Sequence, residues 1–227
     1  MAMRVLLLNA NTTASMTGRM VALARRGAGD GVEIDGATGR FGASYISTRA
    51  AAAIAGHAAL DLLASEVGTA NPRGYGAVGL ACFGDPGLLA LKELSPIPVV
   101  GMAEASLTLA AQLGGRIGIV TGGERWVPML RELALLLGLD GRVAALRATS
   151  LTGAQVAADP AAAEDAIAAL ARACVDEDGA DAVVLGGAGL AGMAARLQPR
   201  LAVPLLCSLD CLVAATLAAA RPWRRPA

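Results

Sequence analysis

Ala77-Val-Gly-Leu-Ala-Cys82, continued by Phe83-Gly-Asp-Pro-Gly87, is the stretch from which the fold can be read. A short apolar run without polar alternation is a strand buried on both faces. It ends at a cysteine, a glycine-rich turn follows, and Asp85-Pro86 reads as the N-cap and first residue of a helix. Strand, turn and helix in that order form the repeating unit of a parallel α/β protein.

The same unit recurs along the chain. Apolar runs predict strands over 5–8, 31–35, 77–81, 99–101, 117–120, 141–146, 182–185 and 203–206. Spacing near 3.6 predicts helices over 15–26, 48–66, 86–93, 103–113, 125–137, 160–176, 191–198 and 209–220, with Asp159-Pro160 as a second N-cap pair. Three segments repeat in order. Val5-Leu-Leu-Leu-Asn-Ala-Asn11 matches Ile117-Gly-Ile-Val-Thr-Gly-Gly123, Ala77-Val-Gly-Leu-Ala-Cys82 matches Ala182-Val-Val-Leu-Gly-Gly187, and Ile97-Pro-Val-Val-Gly101 matches Val203-Pro-Leu-Leu-Cys207. The offsets, 105 to 112 residues, predict two similar halves. The fold class is therefore α/β, with two pseudo-symmetric doubly wound lobes of mainly parallel strands. Residues 1–97 form one lobe, completed by 206–227, and 98–205 form the other. Ligands of open α/β sheets bind beyond the carboxyl ends of the strands, so the expected site is the cleft between the lobes.

Composition narrows the chemistry. The 227 residues carry 19 basic and 19 acidic side chains, and only 17% are charged, against about 25% in an average soluble protein. Such a neutral chain lacks the electrostatic footprint of a nucleic-acid binder; its one dense basic cluster is the tail at 221–225. One histidine (His57) and four cysteines without C-x-x-C spacing argue against a zinc site. The single lysine, Lys92, falls inside a predicted helix and is a poor pyridoxal anchor. The longest uncharged apolar run, 182–195, is too short to span a bilayer, and no signal peptide is read at the start. Cytoplasmic location with free thiols is the expectation, and the aliphatic surplus points to a homo-oligomer.

At the strand ends, Cys82 is the sharpest candidate. With a helix opening just after it, unpaired N–H groups and the helix dipole would lower its thiol pKa, and the backbone of Gly84 and Gly87 could approach a small ligand. A small buried hydrophobe is the plain structural alternative for Cys82. Gly187-Ala-Gly189-Leu-Ala-Gly192 spells G-x-G-x-x-G, with Asp210 beyond it, but too little chain follows to complete a dinucleotide-binding unit. Cys174 and Cys211 read as packing residues. Cys207 ends a strand and could reach the cleft, although packing is favoured.

Taken together, these residues resemble the aspartate/glutamate/hydantoin racemase superfamily, most of all its hydantoin and allantoin racemase branch. The carriers are Val5–Thr13 with Ser15-Met-Thr17, Tyr45-Ile-Ser-Thr-Arg-Ala50, Ala81-Cys-Phe-Gly-Asp-Pro-Gly-Leu88, Pro98-Val-Val-Gly-Met-Ala-Glu-Ala105, Gly118-Ile-Val-Thr121 and Val184-Leu-Gly-Gly-Ala-Gly-Leu190. The resemblance implies an enzyme without a cofactor that moves a proton at an acidic Cα–H of a small carboxylate or cyclic ureide, using one cysteine from each lobe. It implies Cys82 as one thiol and Gly187 as the position of the other. Asn9, Asn11, Tyr45, Phe83, Gly84, Thr121, Gly122, Gly123 and Ala188 would bind substrate. No nucleic acid, membrane or metal takes part. Two departures stand out. The family's second thiol is replaced by Gly187, and Pro204-Leu-Leu-Cys207 carries a thiol where an acid is usual. A lone thiol leaves three alternatives: a racemase whose second face is served by Cys207 or water, a one-faced decarboxylase or cis–trans isomerase, or a binding protein that has lost catalysis.

Overall fold

The computed structural model describes residues 3–221, so the tail at 222–227 lies outside the described residues. Eight strands form two four-stranded sheets, each parallel throughout. The first has the order β2-β1-β3-β4, from β1 (Met3–Asn9), β2 (Val32–Thr38), β3 (Ala77–Leu80) and β4 (Val99–Gly101). The second repeats the pattern as β6-β5-β7-β8, from β5 (Ile117–Gly122), β6 (Val143–Thr149), β7 (Ala182–Gly186) and β8 (Leu205–Cys207). Corresponding strands occupy corresponding places, so the internal repeat is a structural one.

Burial follows strand order. Every residue of β3, β5 and β7 is buried, because helices cover both faces of each central strand. Edge strand β2 is only partly covered instead, with Ile34 and Ala37 buried and Glu33 and Gly36 exposed. The covering helices are α1 (Ala14–Ala28), α2 (Arg49–Glu66), α3 (Leu88–Leu94), α4 (Met102–Leu113), α5 (Trp126–Leu136), α6 (Gly153–Ala158), α7 (Pro160–Asp176), α8 (Ala194–Leu197) and α9 (Ser208–Ala219). Asp159 caps α7 as its spacing predicts, its carboxylate accepting from Ala162 N at 3.1 Å. Asp85 does not cap the helix that follows it; α3 opens later, after Gly87. The helix predicted over 191–198 is broken into single turns around the short α8, and α6 was not foreseen. No helix among the described residues is long and apolar enough to cross a membrane.

The two sheets exchange a helix. α4 leaves β4 of the first sheet and packs on β7 and β5 of the second, while α9 leaves β8 of the second and packs on β3 and β4 of the first. The two helices also pack against each other. The crossings fall at Gly101/Met102 and Cys207/Ser208, whereas the predicted boundary at 97/98 would cut ahead of β4, which pairs with β3.

Close approach of α7 to β5 requires a glycine. A Cβ built on Gly118 would lie 2.6 Å from Cys174 Cβ and 3.1 Å from its Sγ. Gly118→Ala should therefore cost about 1–3 kcal/mol by overpacking, measured by urea unfolding. Because the nearest atom is Cβ, adding Cys174→Ala should recover only a small part; full recovery would show that the sulfur alone sets the spacing.

Candidate active site

The carboxyl ends of the two sheets face one cleft of about 510 Å³, part of it open to solvent. One wall comes from the first sheet: Asn11 after β1, and Ala81, Cys82 and Phe83 after β3. The other comes from the second: Thr121 and Gly122 at the end of β5, and Gly186 to Leu190 at the end of β7. Met16, Tyr45, Ile46 and Trp126 close the sides. No Asp, Glu, Lys or Arg side chain is among these lining residues, so the cleft is electrically neutral.

Cys82 is half-buried and its turn is closed by a hydrogen bond from Asp85 N to Cys82 O at 3.0 Å. A helix opening beside Cys82 would lower its thiol pKa; the structure shows the reverse. Desolvation, then the nearby Asp85 carboxylate, push the Cys82 thiol up to about 12. The dipole that would have opposed this is out of place, because the helix starts at Leu88 rather than beside the cysteine. At neutral pH Cys82 with so raised a pKa is a protonated thiol, able to donate a proton, and its conjugate thiolate is a strong base.

Facing it across the cleft is Gly187, with φ +120° and open space where a Cβ would stand. Its amide donates to Ser208 Oγ at 3.1 Å, which fixes this lip to the start of α9. Ala188 and Gly189 line the cleft and open a turn of 3₁₀ helix, so their N–H groups have no acceptor within that turn. The segment after β7 forms this single turn followed by the four-residue α8. It therefore lacks the long helix onto which a dinucleotide pyrophosphate would dock. Cys207 is buried, does not line the cleft, and is faced by the backbone of Gly192, Leu209 and Asp210. It is not placed to serve as a second thiol.

Six of the other predicted residues line the cleft: Asn11, Tyr45, Phe83, Thr121, Gly122 and Ala188. Asn11 Oδ1 accepts from Asn9 Nδ2 and Thr13 N, both at 2.9 Å, leaving its own amide N–H₂ without a partner among the described residues. Tyr45 donates to Gly122 O at 3.2 Å, joining the first half of the chain to the end of β5. Asn9 instead lies behind the wall, 1% exposed, its amide spent on Asn11, Thr13 and Thr17. Gly84 is covered by the Trp126 ring, whose Cζ3 would stand 2.2 Å from a Cβ there, and Gly123 lies outside this cleft against the other side of Tyr45. Trp126, Met16 and Ile46 were missed as lining residues. The cue for Trp126 is that a buried indole N–H must find an acceptor; it donates to Ile46 O at 3.1 Å.

Comparison with known proteins agrees with this geometry. A family model described as Asp/Glu/Hydantoin racemase matches residues 5–216. The chain is 31% identical over 204 residues to a hydantoin racemase of Pseudomonas sp. (strain NS671), covering 90% of this chain and 80% of that one. The crystal structure of allantoin racemase from Pseudomonas fluorescens is similar at TM-score 0.87 with 32% identity, covering 99% of this chain and 100% of that one. A double mutant of arylmalonate decarboxylase shares the fold at TM-score 0.69 with 17% identity, over 100% of this chain and 96% of its own. The paired sheets, the thiol at the end of β3 and these matches have one reading: the chain belongs to the Asp/Glu/hydantoin racemase family.

Proposed function

We propose that this protein catalyses cofactor-independent proton transfer at the Cα–H of a hydantoin- or allantoin-type cyclic ureide, with Cys82 as proton carrier on one face. The observation that carries the reading is the Cys82 thiol standing at the carboxyl end of β3 in a neutral cleft. The relatives named hydantoin racemase and allantoin racemase supply the substrate class. A cyclic ureide is uncharged and presents carbonyl oxygens and N–H groups. Asn11, Thr121 and the Ala188 and Gly189 amides offer matching partners, and donors aimed at a carbonyl stabilise the enolate formed when Cα loses its proton. Met16, Ile46 and Trp126 offer apolar cover for a ring substituent.

The second face meets Gly187, where no side chain can carry a proton. A water admitted to that open space takes the role, abstracting the Cα proton while the Cys82 thiol delivers one from the opposite side; the abstracted proton then passes through solvent to the Cys82 thiolate, which restores the thiol. In the reverse direction the Cys82 thiolate is the base. Deuterium exchange checks the reading. Separate enantiomers of a 5-substituted hydantoin and of allantoin, incubated with protein in D₂O, should gain deuterium at Cα and lose optical rotation faster than in buffer. Cys82→Ser should slow exchange by about 10²-fold or more. Unchanged exchange in that variant, or none with any substrate, overturns the proposal.

Gly187 also motivates a second reading, one-faced chemistry that yields a single enantiomer. A malonate-type dianion would find no cationic side chain among the described lining residues, which weighs against it. Gly187→Cys separates the two. A Cβ there meets nothing within 4 Å, but φ of +120° strains any L side chain, so stability should fall by about 1–2 kcal/mol. If the chemistry is two-faced, the new thiol should raise the racemisation rate while Cys82→Ser in the same background abolishes it. Retained optical purity in Gly187→Cys favours the one-faced reading.

A further inference from the structure

Among the described residues Asp85 is the side chain whose charge acts on Cys82, and it is almost fully buried at 5% exposure. Its backbone has φ +48°, a left-handed conformation that few residues other than glycine adopt. Something must hold it there. The carboxylate does: it accepts from Ala103 N at 3.0 Å and Glu104 N at 2.7 Å, at the first turn of α4. A Cβ on Gly101 would come within 2.4 Å of Asp85 Oδ2, so the glycine before α4 is what lets the carboxylate reach those amides. Asp85 thus caps a helix eighteen residues further along the chain rather than its own.

The backbone of the same residue sets the thiol. Asp85 N closes the turn on Cys82 O, and Leu88 N closes the next on Asp85 O at 3.1 Å. The helix it caps packs on β7, the strand that ends at the facing lip. One side chain therefore ties the turn carrying Cys82 to the element behind Gly187.

We propose that Asp85 is the positioning residue of the site: by binding the start of α4 it fixes the Cys82 turn at its distance from the Gly187 lip. This rests on the assignment of Cys82 as the proton carrier. The groups facing Asp85 are Cys82 from its own turn and Glu104 from α4, whose carboxylate is paired with Lys92 of α3. Burial raises the Asp85 carboxyl to about 7, so it ionises in the working range of pH.

Alkylation of Cys82 by iodoacetamide, located by peptide mapping and followed from pH 5.5 to 9, tests the proposal without relying on turnover. In the wild type, Asp85 gains its charge through pH 7 and disfavours the thiolate, so the rate should climb by less than tenfold per pH unit there. Asp85→Asn keeps the shape and removes the charge. The profile should lose that inflection and the rate at pH 8 should rise about threefold. In the exchange assay kcat should fall about ten- to a hundredfold with KM within twofold, because the thiol is no longer held in register. A variant profile superimposed on the wild type, with kcat unchanged, overturns the proposal. Should Asp85→Asn not fold, a wild-type profile rising the full tenfold per unit through pH 7 overturns it as well. Failure of Cys82→Ser to lose exchange would count against the proposed function and leave the alkylation result standing as a separate answer.

Discussion

Two aromatic rings laid over two glycines hold the cleft in shape. The Phe83 ring, next to Cys82, occupies the space a side chain at 186 would need, with Cε1 2.2 Å from the position of a Cβ. Trp126, from the opposite half, does the same over Gly84. Each half sends a ring onto the backbone of the other, and only a residue without Cβ permits the contact. Rings packed this closely exclude water and fix the separation of the walls. The exchange of α4 and α9 acts behind the sheets to the same end, so the cleft is gripped from front and back.

Within that frame the chemistry is spare. The lining contains amides, a hydroxyl, a phenol, apolar side chains and one thiol, without a formal charge among the described residues. A neutral ligand desolvates at little cost there, whereas a charged one would enter without a counter-ion. Desolvation also governs the thiol: it is the largest of the effects that raise the Cys82 pKa, ahead of the Asp85 carboxylate.

Much of this was legible in the chain. Eight apolar runs gave eight strands because buried parallel strands need continuous apolar sequence, and the repeat at about 105 residues foretold two like sheets. Cys82 and the Gly186–Leu190 lip could be placed at strand ends for the same reason. Asp85 and Asp159 look alike locally, each followed by proline, yet only Asp159 caps its own helix. The difference lies in Gly101, remote in sequence, which opens a second helix start to the Asp85 carboxylate. Asn9 shows the same limit: a polar residue at a strand end can face a ligand or shape the loop beneath it, and its hydrogen bonds to Asn11, Thr13 and Thr17 hold it behind the wall.

Sequence by itself determined the layers, the parallel strands and the thiol that stands at a strand end, because periodicity and turn chemistry are local properties. Tertiary structure alone decided which half each helix covers, which residues touch the cleft, and the protonation state of Cys82. Those outcomes depend on long-range packing and on the water it excludes, and no short window of sequence contains either.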